Sequence, residues 1–208
     1  MTDDSYWSAV VSMRQRVADL LESLRPEEWD AGSLCSEWRV RDVAGHLSCV
    51  PTITTWELLR SGPRGRFDMN RMNTVIAKGY GDHEPAWIVA RIREHAGARR
   101  TAKVLDTRNS LFDVIVHSQD IAVPLGRTFD VPPELAADGL ARVWEMGMPF
   151  HARKRFAGLT LRATDADIAV GAGPEVRGPA LSLLLLATGR AEVAAPALSG
   201  AGVDALPR

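Results

Sequence analysis

Apolar residues recur every three or four positions at the start of the chain, at Tyr6, Val10, Met13, Val17, Leu20, Leu21 and Leu24. That period is one face of a long amphipathic helix, closed by Pro26. Arg25–Glu37 carries Pro, Gly and Ser and reads as a loop, with Trp29 tucked back onto the core. A second helix starts near 38–40, with Val43, His46, Leu47 and Val50 on its inner face, and Pro51 kinks or ends it. Ser61–Phe67 reads as a turn. A short helix over Met69–Lys78 follows, broken by the GYGDHEP segment. Pro85 fits the first turn of a third helix, with Ile88, Ile92, His95 and Ala96 on its apolar stripe. A fourth covers about Ser110–Val123 and stops at Pro124 and Gly126. A fifth follows Pro132 and Pro133, with Leu135, Leu140, Val143, Trp144 and Met148 inward.

After about Gly158 the pattern changes. Leu159–Ala163 and Asp167–Gly171 alternate like short strands. A GAGPEVRGP segment, a helix over Ala180–Thr188 and an Ala/Gly/Pro-rich tail complete the chain. The expected organisation is a helical bundle over residues 1–155 and a small α+β domain over 156–208.

Composition narrows the function. The chain has 208 residues, 46% hydrophobic and 25% charged, which excludes a disordered tail protein and a collagen. Acids and bases nearly cancel at a net charge of −1, so the basic excess of a general nucleic-acid binder is missing. Two cysteines, Cys35 and Cys49, make no disulfide framework. The first ten residues lack a basic segment followed by an apolar one, and the longest apolar run, Leu181–Ala187, is too short to span a bilayer. A reduced, cytoplasmic setting with no membrane partner is the expectation. The 22 Arg against 3 Lys read as a compositional bias rather than a binding surface.

One pair of residues carries candidate chemistry. Asp113 and His117 stand four apart in LFDVIVHSQDI. The β-branched DVIV run suits a strand, in which the two would lie roughly 13 Å apart on one face. On a helix their Cβ atoms come within about 6 Å, close enough to share one metal ion. Ser110 as an N-cap and the long run to Pro124 favour the helix. His46, on the inner face of the second helix, is a candidate third ligand, because bundles build metal sites from facing helices. Two imidazoles and a carboxylate suit Zn²⁺, Ni²⁺ or Fe²⁺, and three protein ligands leave a position open. A hydrogen-bonded core histidine remains the alternative for each. Cys49 shares His46's face and reads as a small buried hydrophobe. Cys35 has no motif around it. His95 reads as a core histidine, and His83 and His151 as surface residues. Asp120, near a helix C-terminus that disfavours an anion, calls for a partner such as Arg127 or for solvent. GAGPEV does not match a phosphate loop.

WDAGSLCSEWRVRDVAGHL (29–47) resembles the N-terminal motif of the DinB-like superfamily, specifically the mycothiol-dependent maleylpyruvate isomerase family. FDVIVHSQDIAVPLGR (112–127) resembles that family's second metal motif, and LTLRATDADIAVGAGPEVRGPALSLLLLATGR (159–190) its C-terminal region. The resemblance implies a mainly α, DinB-like four-helix bundle followed by a small α+β C-terminal region. It implies a divalent metal, usually zinc, on His46, Asp113 and His117. It also implies mycothiol as cosubstrate and a catalytic arginine at Arg190. The isomerase is similar but carries Glu where this chain has Asp113. A helix-end role against the dipole is the alternative for Arg190.

The expected function is then a metal-dependent thiol transferase or isomerase. It would activate mycothiol, a low-molecular-weight thiol, against a small electrophile, as a monomer or homodimer. A hydrolase on the same bundle, activating water, and a non-catalytic metal-binding regulatory module are the alternatives. Dependence on added thiol separates the first, and turnover the second.

Overall fold

The computed structural model describes residues 1–99 and 106–207. The chain divides into two compact units, Met1–Phe129 and Asp130–Arg208. In the first unit α1 (Asp3–Glu22), α2 (Val40–Cys49), α3 (Thr55–Ser61), α4 (Met69–Gly81), α5 (Pro85–Glu94) and α6 (Ser110–Ala122) follow in order. Helix α1 packs on α5 and α6, and α2 packs on α4, α5 and α6. The predicted stripe holds: Tyr6, Val10, Met13, Val17 and Leu21 are buried on α1. Pro26 opens a short 3₁₀ turn, Pro26–Asp30, which carries Trp29 into the core as expected. Val50 and Pro51 end α2.

Two expectations are corrected here. Ser110 is the first residue of α6 rather than its cap, because a 3₁₀ turn over Thr107–Asn109 leads into the helix. The glycines of GYG do not break α4, which runs on to Gly81. A Cβ at Gly45 would meet the Gly81 nitrogen at 2.4 Å and the Ala77 oxygen at 2.5 Å. The two glycines therefore let the α2 and α4 backbones touch, and packing outweighs glycine's poor helix propensity.

The second unit holds α7 (Pro133–Glu145), α8 (Ala152–Arg155), β1 (Thr160–Ala163), β2 (Ala169–Gly171), β3 (Glu175–Gly178), α9 (Ala180–Ala187) and α10 (Ala191–Ala194). The sequence reading set the boundary at 155. The two compact units divide at 129/130, and α7, where Leu140 and Val143 are buried, packs on α9, where Leu183 and Leu184 are buried. Met148, expected to face inward, lies beyond the end of α7 and is exposed.

The sheet order is β2-β1-β3, with β2 antiparallel and β3 parallel to the central strand. Strand β3 was hidden in the GAGPEVRGP segment by its glycine and proline signals. Those glycines carry the link across the end of β1. Gly171 and Gly173 have φ of 90° and 131°, and a Cβ on either would strike a backbone oxygen, of Leu159 or Gly158. No helix among the described residues is long and apolar enough to cross a membrane.

Candidate metal centre

The start of α2 fixes where His46 points. The buried Asp42 carboxylate accepts from the Arg39 backbone N–H at 2.9 Å and from the Arg39 guanidinium at 3.1 and 3.0 Å. Arg41 donates to the Gly81 carbonyl at 2.7 Å, tying the same turn to the end of α4. Nearly every residue of α2 is buried. His46, two turns into it, is 5% exposed.

Residues 110–122 form a helix despite the β-branched DVIV run, because Leu111, Val114, Ile115, Ser118 and Ile121 are all buried along it. Asp113 and His117 therefore stand one turn apart. Asp113 Oδ1 lies 3.4 Å from His46 Nε2 and 3.6 Å from His117 Nε2. The imidazole centroids are 4.7 Å apart. Bonds of about 2.0–2.1 Å at tetrahedral angles place ligand atoms roughly 3.3–3.4 Å apart, so the spacing fits a single cation. Burial alone pushes the Asp113 carboxyl up. Its contacts with His46, His117 and the buried Arg14 guanidinium together more than offset this, and the carboxyl is held below its ordinary value. It stays ionised, as a ligand must.

Two residues touch this group that sequence reasoning did not place there. His46 Nδ1 meets Asn73 Oδ1 of α4 at 3.1 Å. His117 Nδ1 meets Asp120 Oδ2 at 2.8 Å. Asp120 is fully buried and also accepts from the Cys35 thiol at 3.0 Å. The expectation of Arg127 or solvent as its partner is corrected: Arg127 pairs with Glu28 at 2.8 Å. The i, i+3 spacing of His117 and Asp120 was the available signal. Nothing in the sequence pointed to Asn73.

Cys35, His117 and Asp120 form a second candidate donor group. Their distances of 2.8 and 3.0 Å are those of hydrogen bonds rather than of ligands around a cation. Nor do they form a nucleophilic triad. The thiol and the carboxylate both address Nδ1, whereas a relay uses opposite ring nitrogens.

Burial pushes the Cys49 thiol up to about 12, which makes it inert as expected. His95 caps the end of α5, half-buried, near Glu94. His83 is exposed and stacks on Trp87, and His151 is exposed too. Arg190 lies in the second unit just after α9, where its Nη1 donates to the Thr188 carbonyl at 2.6 Å.

The fold and the donor group together describe a mainly α protein with a candidate metal centre, followed by a small region with a three-stranded sheet. The comparisons are more specific. Residues 10–102 match the family model of the mycothiol maleylpyruvate isomerase N-terminal domain. The structure is similar to the crystal structure of the mycothiol-dependent maleylpyruvate isomerase, with a TM-score of 0.61 at 12% identity. A histidine-to-alanine mutant of that isomerase gives a TM-score of 0.64, also at 12% identity. Each alignment covers 97% of this chain and 93% of the other. No curated protein sequence matches the chain. The likeness to the mycothiol-dependent maleylpyruvate isomerase family thus rests on the match over residues 10–102, which includes the motif around His46, and on a shared fold over most of the chain.

Proposed function

We propose that the chain is a cytoplasmic, metal-dependent thiol transferase or isomerase that uses mycothiol as cosubstrate against a small electrophilic molecule. The observation that carries this reading is the meeting of His46 Nε2, Asp113 Oδ1 and His117 Nε2 at ligand spacing. Two neutral imidazoles and one carboxylate suit a divalent cation, most readily zinc, and three protein ligands are the pattern of a reactive centre with an open position. A cation bound there supplies Lewis acidity, which brings the pKa of a bound thiol toward neutrality.

The chain's own groups define the rest. Asp113 contributes one negative charge and holds it against protonation. Trp38 stacks on His117 at an interplanar angle of 15° and tilts over His46, giving the two rings an apolar wall. Cys49 is sealed as a neutral thiol, so the attacking sulfur comes from the cosubstrate rather than from this cysteine. Arg190 is the candidate for holding an anionic group, since a guanidinium fork matches a carboxylate.

Elemental analysis tests the centre. The purified protein is expected to carry about one divalent cation per chain and the His46→Ala variant none. Stoichiometric metal in that variant refutes the ligand set. Turnover of electrophiles only when a low-molecular-weight thiol is added supports the transferase or isomerase reading; turnover without thiol points to hydrolysis.

A further inference from the structure

Each imidazole of the centre uses its second nitrogen on a protein acceptor. Asp120 Oδ2 accepts from the Cys35 thiol at 3.0 Å and so presents an acceptor to the neighbouring imidazole. The His117 Nδ1 lying 2.8 Å from Asp120 Oδ2 is therefore the protonated nitrogen, and Nε2 keeps its lone pair toward Asp113. Asp120 is itself held. The Leu34 backbone N–H donates to its carbonyl at 3.2 Å, and the Cys35 thiol donates to its carboxylate at 3.0 Å. Both belong to a loop closed on itself, in which the Ser33 N–H and hydroxyl both donate to the Trp38 carbonyl, at 3.0 and 2.9 Å. That loop ends in Trp38, whose ring covers His117 and whose Nε1 donates to Thr74 of α4 at 3.2 Å.

We propose that Asp120 is a positioning residue of the metal centre. Gripped by the 33–38 loop, it locks His117 in the Nδ1–H tautomer with Nε2 aimed at the cation, and Asn73 does the same for His46. The inference rests on the metal-centre reading and deepens it. It gives a role to a buried carboxylate that is not a ligand, and to a cysteine that is neither nucleophile nor ligand. A fully buried carboxylate is costly unless hydrogen-bonded, and its bonds here go to the ligand ring and to the loop that covers it.

Two measurements test it. Nitrogen-15 NMR of the metal-free protein reads the tautomer of His117 directly. The Nδ1–H form is expected, and Nε2–H overturns the proposal. Cobalt affinity, by competition with a chelator, is then compared among the wild type, Asp120→Ala and Asp120→Asn, alongside urea midpoints of the metal-free proteins. Loss of an outer-shell acceptor weakens binding by about 10–100-fold, so Asp120→Ala is expected in that range. Asp120→Asn, which keeps an acceptor oxygen, is expected to fall between it and the wild type. Affinity of Asp120→Ala within twofold of the wild type overturns the proposal. If Asp120→Ala does not fold, the NMR result and Asp120→Asn decide. Undiminished cobalt binding in His46→Ala removes the metal centre itself and the proposal with it, whereas loss of binding in His46→Ala beside unaltered Asp120 variants removes the positioning role alone.

Discussion

Gly45→Ala sets two physical effects against each other. On an exposed helix the change stabilises, since alanine exceeds glycine in helix propensity by about 0.8–1 kcal/mol. At this position the added methyl lands 2.4 Å from the Gly81 nitrogen, 2.5 Å from the Ala77 oxygen and 2.8 Å from the Gly81 Cα. All three are backbone atoms of α4, so no side chain can swing aside. Reaching the 3.4 Å at which ordinary contact begins requires α2 and α4 to part by about 1 Å. Overpacking of this kind costs typically about 1–3 kcal/mol, occasionally more. Setting the propensity gain against the upper part of that range leaves a net destabilisation of about 1–2 kcal/mol. The same parting carries Asn73 away from His46, whose 3.1 Å contact bridges the two helices, and so weakens the centre as well. Urea unfolding followed by circular dichroism, with cobalt titration of the same samples, measures both. A variant as stable as the wild type, or more so, would show that the glycine pair does not set the helix spacing and would refute the argument.

Other outcomes follow from the same geometry. Glu28 is held at about 2 by its hydrogen bonds to Arg127, then the Arg25 backbone and side chain. A depressed carboxylate pKa contributes stability above its unfolded value and loses it as the pH falls toward the folded one. Glu28→Gln is therefore expected to destabilise at pH 7 and to converge on the wild type near pH 2; a difference independent of pH excludes the ion pair as the cause. Alkylation of the native protein at pH 8 is expected at Cys35 before Cys49, whose thiol is buried and raised to about 12, and peptide mapping that finds Cys49 modified first contradicts this. Arg190→Ala is expected to raise KM for an anionic substrate while leaving bound metal at wild-type level; an unchanged KM removes its role in holding the anion.

The legible parts of the sequence were those written in short-range periodicity. The length of the run up to the stop at Pro124 was enough to assign Asp113 and His117 to one turn of helix against the strand preference of DVIV, although the expected Ser110 cap was not the cap. The stripe from Tyr6 to Leu21 likewise named one wall of the core. His46 is remote in sequence, and its pairing with α6 rested on the family motif as much as on its helical face. Asn73 was beyond reach because its contact depends on the approach of α2 to α4, set by two glycines that read locally as breakers. Asp120 was legible by its spacing from His117, but the helix dipole directed attention to Arg127. Strand β3 was missed because the glycine and proline signals of the GAG link extend over it, while its pairing partner lies fifteen residues back along the chain.

Trp38 makes the centre optically accessible. Its indole lies 5.6 Å from one candidate ligand ring and 6.2 Å from the other. A paramagnetic ion seated between those rings lies within contact range for quenching tryptophan emission. The unlabelled protein thus carries its own occupancy gauge, and a Trp38→Phe variant separates that signal from the five remaining indoles.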